Sequence, residues 1–252
     1  MNKTAVEPHL DVSVITITYN ERENIREVIA VVNKIFLDHS FAGEIIVVDD
    51  SSPDGTAEVV LELKKEYPNT TLLKRPAKMG VGSAYRDGLA IARGEVVVPL
   101  DADLSHSPQV IPELYRIAKE GKIGWGSRYL GNTRFETDFP HKIGTFLLNR
   151  WVRTVLNTKV RDNSMGYFAM KKEIFEHLLN HGKEKNIYPF SRILYGIPLA
   201  ALARQLQIPI TEIKTHYNRR KHGKTKIPFL RGLKTVLGDM GYALELRNRL
   251  RR

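Results

Sequence analysis

Apolar and polar positions follow two rhythms along the first half of the chain, short apolar runs and longer stretches with helical spacing. The short runs predict strands at residues 12–18, 45–48, 71–74 and 95–100. Helical patterns follow them, at residues 25–36, 56–66, 81–92 and 109–119. Strands that alternate with helices are typical of βαβ units. The sequence therefore predicts an α/β fold, a mostly parallel, twisted sheet flanked by helices.

This rhythm changes after Gly126. The remaining elements that the pattern predicts are a strand at residues 123–126, a long functional loop at 127–141, an apolar helical stripe at 143–155 and a last strand at 208–215. A second apolar stripe runs from Phe229 to Leu244, with bases around it. We expect one domain over residues 1–228 and a basic amphipathic helix over residues 229–252.

The charge balance narrows the classes of partner. The 252 residues contain 39 Lys and Arg against 28 Asp and Glu, a formal net charge of +11. Such a balance indicates an anionic partner: nucleic acid, a membrane surface or a phosphorylated substrate. Six bases fall in one stretch of the sequence that contains no acid: Lys214, Arg219, Arg220, Lys221, Lys224 and Lys226.

Two absences narrow the classes of protein. The chain has no cysteine, which excludes disulfides and thiolate metal sites. Residues 1–11 are polar, and no apolar run approaches the ~20 residues that a spanning helix needs. We therefore expect a cytoplasmic chain without a membrane span of its own.

Two pairs of acids follow predicted strands. Asp49 and Asp50 follow the second strand, and Asp101 and Asp103 follow the fourth. Parallel strands end at one edge of a sheet, where open α/β sheets bind ligands. Carboxylates at Asp101 and Asp103 suit Mg²⁺ or Mn²⁺, which neutralises a diphosphate. A solvated loop is the alternative, since an Asp-x-Asp sequence alone is common.

Two further segments have more than one interpretation. Residues 18–21 end the first strand, where they can meet a nucleotide, or where Asn20 and Glu23 can cap the next helix. Residues 80–85 resemble a dinucleotide fingerprint, but Tyr85 stands where the third glycine belongs.

In order, these segments resemble the donor half of family 2 glycosyltransferases. The residues that carry the resemblance are Thr18 to Glu21, Val47 to Thr56, Gly80 to Tyr85 and Asp101 to Pro108. Gly126 to Tyr129, Asp162 and Ser164 to Tyr167 narrow it to polyprenyl-phosphate sugar synthases. Within these, the chain is most similar to the dolichol-phosphate mannose synthases that lack transmembrane helices.

The resemblance covers about residues 12–228 and implies a GT-A fold. It divides the domain at 1–228 into a donor half, about 12–126, and an acceptor half, about 127–228. The catalytic residues that it implies are Asp101, Asp103 and Arg128, with Asp101 and Asp103 as the ligands of Mg²⁺ or Mn²⁺. The implied donor-binding residues are Thr18, Tyr19, Glu21, Asp49, Asp50, Gly80, Asp101, Ala102 and Asp103. Arg128, Arg220 and Lys226 match the positions that bind the acceptor phosphate.

The reaction that the resemblance implies is inverting transfer of a sugar, with mannose from GDP-mannose favoured, to the phosphate of dolichyl or another polyprenyl phosphate. Its place is the cytosolic face of a membrane, where the protein is peripheral. The two apolar stripes then contact an anionic membrane surface or a small membrane-embedded partner subunit, or they cover the core.

Three alternatives remain open at this point. One is a transferase that uses a UDP-sugar and adds glucose or N-acetylglucosamine. Another has a hydroxyl acceptor, which needs a general base, and Asp162 is the candidate. A remote one is a basic nucleic-acid-binding protein; we expect no nucleic acid partner, because such a protein leaves both acid pairs without a purpose.

Overall fold

A single mixed sheet organises the described part of the chain, residues 9–218 and 229–252 of a computed structural model. Its strands are β1 (Val12–Thr18), β2 (Gly43–Asp49), β3 (Thr70–Lys74), β4 (Val96–Asp101), β5 (Ile123–Ser127), β6 (Phe168–Lys171) and β7 (Ile210–Lys214). The helices are α1 (Arg22–Asp38), α2 (Thr56–Leu63), α3 (Val81–Ile91), α4 (Ile111–Lys119), α5 (Phe139–Leu156), α6 (Lys172–Glu184), α7 (Gly196–Gln205) and α8 (Phe229–Arg251).

The strand order is β3-β2-β1-β4-β6-β5-β7. The strands β3, β2, β1 and β4 are parallel neighbours, and β5 and β7 form a second parallel pair. Between these groups lies β6, antiparallel to β4 and to β5. The predicted α/β fold with a mostly parallel sheet is confirmed. Strand β6 was not predicted, because this short strand runs directly into α6 and its apolar residues do not form a separate alternating pattern.

The second half of the domain differs from the prediction in two places. Helix α5 begins at Phe139, inside the predicted loop, where the Asp138 carboxylate accepts a hydrogen bond from the His141 N–H. Helices α6 and α7 were not predicted. Nearly every residue of α7 is buried, so this helix is apolar on all sides and lacks the amphipathic period that marks a surface helix.

Helix α8 occupies the tail, and it packs against α5. The Trp151 indole N–H donates to the Met240 carbonyl, and the side chains of Ala243 and Leu246 are fully buried. One face of the tail helix therefore completes the core. Within residues 9–218 and 229–252, no helix is both long enough and apolar enough to cross a bilayer.

A buried carboxylate paired with an exposed arginine ties the opposite, amino-terminal edge of the sheet together. The Glu44 side chain is 3% exposed and accepts hydrogen bonds from the Ser13 hydroxyl, the Arg93 N–H and the Arg93 guanidinium. Burial by itself raises the pKa of Glu44, but the hydrogen bonds from Arg93 and Ser13 outweigh it and hold the pKa below its ordinary value of 4.5.

Glu44→Gln should therefore lower the free energy of unfolding at pH 7 by about 1–3 kcal/mol. Since the folded-state pKa is depressed, the wild-type carboxylate stabilises the fold above the unfolded-state pKa, and this contribution is lost as the pH falls through the folded-state pKa. Urea unfolding at neutral and acidic pH measures both effects. A difference between wild type and variant that stays constant down to the acid limit would contradict the assignment.

Candidate functional site

The carboxyl ends of β1, β2 and β4 bring the predicted site residues to one edge of the sheet. The register places Thr18 opposite Asp49 and Ile17 opposite Asp101. Both acid pairs follow strands that are buried along nearly their whole length. The carboxylates therefore emerge from the core at the position where open α/β sheets bind ligands.

Asp101 is held from two sides. The Tyr85 hydroxyl donates to Asp101 Oδ1 over 2.9 Å, and His106 Nε2 lies 3.1 Å from Asp101 Oδ2. The Asp101 side chain is nevertheless 40% exposed. Asp103 is buried and accepts a hydrogen bond from the Ser105 N–H. The edge thus presents one oriented, accessible carboxylate beside one buried carboxylate.

These two carboxylates fit a divalent cation that arrives with its substrate. Across residues 9–218 and 229–252, no cluster of three or more His, Asp or Glu side chains is arranged to hold a metal ion by itself. Mg²⁺ typically uses one or two carboxylates and completes its coordination with waters and substrate phosphates. The pair Asp101 and Asp103 supplies that kind of site, with hard oxygen donors and solvent access on the Asp101 side.

On the donor side, two of the predicted residues bind each other. Asp49 is fully buried and accepts hydrogen bonds from the Thr18 hydroxyl and from the N–H and hydroxyl of Ser52. These bonds fix the turn after β2. Nearby, the ammonium group of Lys78 lies 3.7 Å from the ring centroid of Tyr19. Lys78 is a neighbour that the sequence analysis did not identify.

Asp50 positions the loop before α3. Its carboxylate accepts hydrogen bonds from Arg75 Nη1 and from the backbone N–H groups of Met79 and Gly80. Gly80 has φ +97°, a conformation that favours glycine. Arg75 is buried, and its Nη2 donates to the Ser83 hydroxyl. Sequence reasoning missed Arg75 because a single base after a strand carries no pattern.

On the acceptor side, Arg128 forms a buried ion pair with Asp162. Arg128 Nε and Nη2 each lie 2.8 Å from one oxygen of the Asp162 carboxylate, and Nη2 also donates to the Ser164 hydroxyl. Burial by itself lowers the pKa of Arg128, but Asp162 outweighs it and raises that pKa. Among the described residues no acceptor is found for Nη1, so the guanidinium is oriented at one end and able to donate at the other.

Asp162 is a poor general base in this arrangement. Its side chain is fully buried, and both oxygens accept hydrogen bonds from Arg128. The hydroxyl-acceptor alternative, which needs a base at Asp162, therefore loses its candidate. Arg220 and Lys226, the other predicted phosphate ligands, lie outside the described residues.

A row of aromatic rings connects the two sides. The ring of His106, beside Asp101, lies 5.4 Å from that of Tyr217, which lies 5.8 Å from that of Phe135. The row continues to Tyr129 and then to Phe146 of α5, with 6.3 Å between ring centroids at each step. Phe146 is 54% exposed. The row of rings thus extends from the paired acids to an exposed residue of α5, and the Arg128 guanidinium lies against its Tyr217 and Phe135 rings.

Comparison with known proteins identifies the family. The family model described as glycosyl transferase family 2 matches residues 13–179, a segment that contains both acid pairs and the Arg128–Asp162 pair. The chain belongs to glycosyl transferase family 2. The segment from β1 to α6 is thus the part that the chain shares with the family, while α7, β7 and α8 lie beyond the matched residues.

Two curated relatives have the same name, dolichol-phosphate mannosyltransferase. The protein from Pyrococcus furiosus is 34% identical over 228 residues, which are 88% of this chain and 62% of that protein. The protein from Saccharomyces cerevisiae is 26% identical over 229 residues, 86% of this chain and 81% of that protein. The chain therefore spans somewhat less than two thirds of the length of the archaeal relative.

Two solved structures share the fold. A mannosyltransferase from Pyrobaculum calidifontis in complex with GDP-Man and Mn²⁺ aligns with a TM-score of 0.57 at 17% identity, over 97% of this chain and 74% of that one. Glucosyl-3-phosphoglycerate synthase from Mycobacterium tuberculosis, in complex with Mn²⁺, UDP and glucosyl-3-phosphoglycerate, aligns with a TM-score of 0.60 at 18% identity, over 94% and 80%. The GT-A fold predicted from the sequence is confirmed.

Tyr85 gives a prediction about the paired acids. Burial raises the pKa of its hydroxyl well above the ordinary range, so the group remains a neutral donor to Asp101. Tyr85→Phe should weaken Mn²⁺ binding in the presence of GDP by about tenfold, because groups that orient a metal ligand typically have effects of that size. Titration followed by electron paramagnetic resonance measures this affinity without turnover.

The matched control is Tyr115→Phe. This tyrosine also donates to an aspartate, but its partner is Asp11, at the opposite edge of the sheet. It should leave Mn²⁺ affinity unchanged. Equal Mn²⁺ affinities for wild type and Tyr85→Phe would show that Tyr85 does not orient Asp101 for metal binding.

Proposed function

We propose that the chain transfers mannose from GDP-mannose to the phosphate of dolichyl or another polyprenyl phosphate, with inversion at the anomeric carbon, on the cytosolic face of a membrane. The observation that carries this proposal is the aromatic row between Asp101 and the surface of α5, with the Arg128 guanidinium against it. A phosphate with a long apolar chain matches such a row. The names of the two curated relatives support the same acceptor and sugar.

On the donor side, Asp101 and Asp103 hold Mg²⁺ or Mn²⁺. When bound, the cation supplies positive charge that stabilises the diphosphate as it leaves. Tyr19, Glu21 and Asp50 contact the nucleoside. The residues that complete the donor pocket are Thr18, Asp49, Gly80 and Ala102, through the turns that they form at the edge of the sheet.

On the acceptor side, the chemistry needs positive charge more than a base. A phosphate oxygen of the lipid attacks C1 of the sugar, the bond from C1 to the donor diphosphate breaks, and its electron pair leaves with the nucleoside diphosphate. No proton has to be removed from the nucleophile. Arg128 Nη1 is available to bind the acceptor phosphate while Asp162 holds the guanidinium in place. By the resemblance, Arg220 and Lys226 complete this site.

The exposed faces of α5 and α8 bring the protein to the lipid. Among the side chains that the structure describes, the exposed large apolar ones on these helices are Phe139, Ile143, Phe146, Leu147, Leu237 and Leu244. Lys142, Arg150 and Arg153 are exposed on α5 among them. A helix with apolar and basic positions of this kind lies in the plane of an anionic membrane. A small membrane-embedded partner subunit is the alternative for the same surface.

The experiment is sugar transfer by the purified chain in liposomes that contain dolichyl phosphate. Labelled GDP-mannose, UDP-glucose and UDP-N-acetylglucosamine are offered separately, with Mg²⁺, with Mn²⁺ and with chelator. We expect a labelled lipid from GDP-mannose alone, and none with chelator. A lipid product from a UDP-sugar would show that the donor is that UDP-sugar instead of GDP-mannose. If no donor reacts under any condition, the proposal is overturned.

A further inference from the structure

A cleft of about 380 Å³ lies beside α5, at the outer end of the aromatic row. Its lining residues are Tyr129, Phe146, Asn149, Arg150, Arg153 and Arg161. Three of the six are arginines. Arg150 and Arg153 belong to the exposed face of α5 that is proposed to meet the membrane, and Arg161 has no role in the proposed function. The cleft therefore has a strong positive charge, and its ligand is unassigned.

The three guanidinium groups have no carboxylate partner within residues 9–218 and 229–252. Arg150, Arg153 and Arg161 are all exposed. The nearby Glu212 carboxylate accepts hydrogen bonds from the backbone N–H groups of Arg161 and Asp162. Three like charges around one cleft repel one another, and a bound anion removes that repulsion. A base in the last turn of a helix interacts favourably with the helix dipole, which accounts for the presence of Arg153. Arg161 lies beyond the end of α5, so the helix dipole does not account for it.

The order of apolar and basic residues along one face of α5 indicates what kind of ligand the cleft binds. Phe139, Ile143, Phe146, Arg150 and Arg153 are spaced by four and three residues in alternation, so they share one face of the helix. The first three are apolar and 73%, 43% and 54% exposed. The last two are basic and line the cleft. One face thus presents apolar surface at its start and cationic surface at its end, as an amphipathic anion requires.

We propose that this cleft binds the phosphate of an anionic membrane phospholipid, at a site separate from the acceptor phosphate. Three arginines around one cleft favour a phosphate monoester over a carboxylate, because the phosphate has three terminal oxygens that can accept from more than one fork at once, whereas a carboxylate has two. The Arg128 guanidinium, by contrast, is turned towards Asp162 and the rings of Phe135 and Tyr217. The inference rests on the membrane docking that forms part of the proposed function.

The cleft also adjoins the support of Arg128. Asn149 lines the cleft, and its side-chain amide donates to the Ser164 hydroxyl over 3.0 Å and approaches Asp162 Oδ1 at 3.4 Å. A lipid phosphate in the cleft therefore lies one side chain away from the Arg128–Asp162 pair. Occupancy of the cleft fixes α5 on the bilayer and places the outer end of the aromatic row at the lipid surface.

The test compares vesicle binding by charge-matched variants of the full chain. One set of phosphatidylcholine vesicles contains phosphatidic acid, and the other contains oleate at the same surface potential. The first variant, Arg150→Lys/Arg153→Lys/Arg161→Lys, keeps every charge and loses the arginine forks. The second, Arg150→Gln/Arg153→Gln/Arg161→Gln, removes three charges. Its control is Arg26→Gln/Arg86→Gln/Arg116→Gln, on exposed side chains of the donor half.

We expect wild type and control to prefer phosphatidic acid vesicles by about tenfold, because the three phosphate oxygens can accept from several arginine forks at once and a carboxylate cannot. The Lys variant should bind both vesicles equally, and the Gln variant should bind both weakly. Equal binding of both vesicles by wild type, or a preference that survives in the Lys variant, would overturn the proposal. If calorimetry shows that inorganic phosphate binds the cleft while the chain binds both kinds of vesicle equally, the ligand is free phosphate, and its assignment to a lipid is overturned.

Neither sugar donor nor dolichyl phosphate is present in this test. A chain that shows the preference but transfers no sugar contradicts the proposed function alone. A chain that transfers sugar without the preference contradicts the phospholipid cleft alone. Circular dichroism of each variant confirms that the fold is intact.

Discussion

Asp101→Asn should lower the rate of sugar transfer by about a thousandfold or more, because a divalent cation contributes several kcal/mol to stabilising the departing charge. The amide keeps the size of the side chain and can still accept the hydrogen bond from Tyr85. What it loses is the negative charge that attracts the cation. The measurement is a single-turnover rate with GDP-mannose, dolichyl phosphate and saturating Mg²⁺ or Mn²⁺.

Two further variants test this prediction, one that should also be inactive and one that should behave as wild type. Asp103→Asn removes the second carboxylate at the same edge of the sheet and should be similarly inactive. Asp38→Asn removes a surface acid that pairs with Lys34 at the far end of α1, and it should behave as wild type. A folded Asp101→Asn variant with a near-normal rate would contradict the assignment of the paired acids to a metal.

Arg128→Ala should lower the free energy of unfolding by about 3–5 kcal/mol, because the substitution leaves the Asp162 carboxylate buried without its partner. The same variant should use the acceptor poorly, since it also removes the guanidinium that we propose binds the acceptor phosphate. Urea unfolding gives the first quantity. The KM values for dolichyl phosphate and GDP-mannose, measured separately, give the second, and only the acceptor value should rise.

A double variant separates the structural role of Arg128 from its role towards the acceptor. Arg128→Met/Asp162→Asn removes both charges of the pair, so most of the lost stability should return. Acceptor use should not return, because Met cannot bind phosphate. Recovery of normal transfer in the double variant would show that Arg128 acts on the fold alone.

The first half of the fold is readable from the sequence for a specific physical reason. Strands β1, β2 and β4 are buried on both faces, so β2 and β4 contain continuous aliphatic runs, and in β1 only Ser and Thr interrupt the Val and Ile residues. The predicted strand at residues 12–18 coincides with β1. In the second half, the completely buried α7 and the short strand β6 have no amphipathic period, and the sequence analysis missed both.

The same distinction applies to the site, where some residues are marked by a local sequence pattern and others are not. The acids were predictable because each pair directly follows a strand, and the register brings Asp49 and Asp101 to one edge. Their partners were not, because the contacts join segments far apart in sequence. Tyr217, for example, meets His106 and Arg128 only once β7 has been added to the far edge of the sheet. The roles of Thr18 and Asp49 in donor binding stay predictions, since in the structure these two side chains bind each other.

The central claim is that the acceptor is a lipid phosphate and that the enzyme needs no general base. The most direct measurement offers GDP-mannose with dolichyl phosphate or with dolichol, the same lipid without its phosphate, in otherwise identical liposomes. The account predicts a lipid-linked mannose with β configuration from dolichyl phosphate and no product from dolichol. Comparable transfer to dolichol, or an α-linked product, would contradict it.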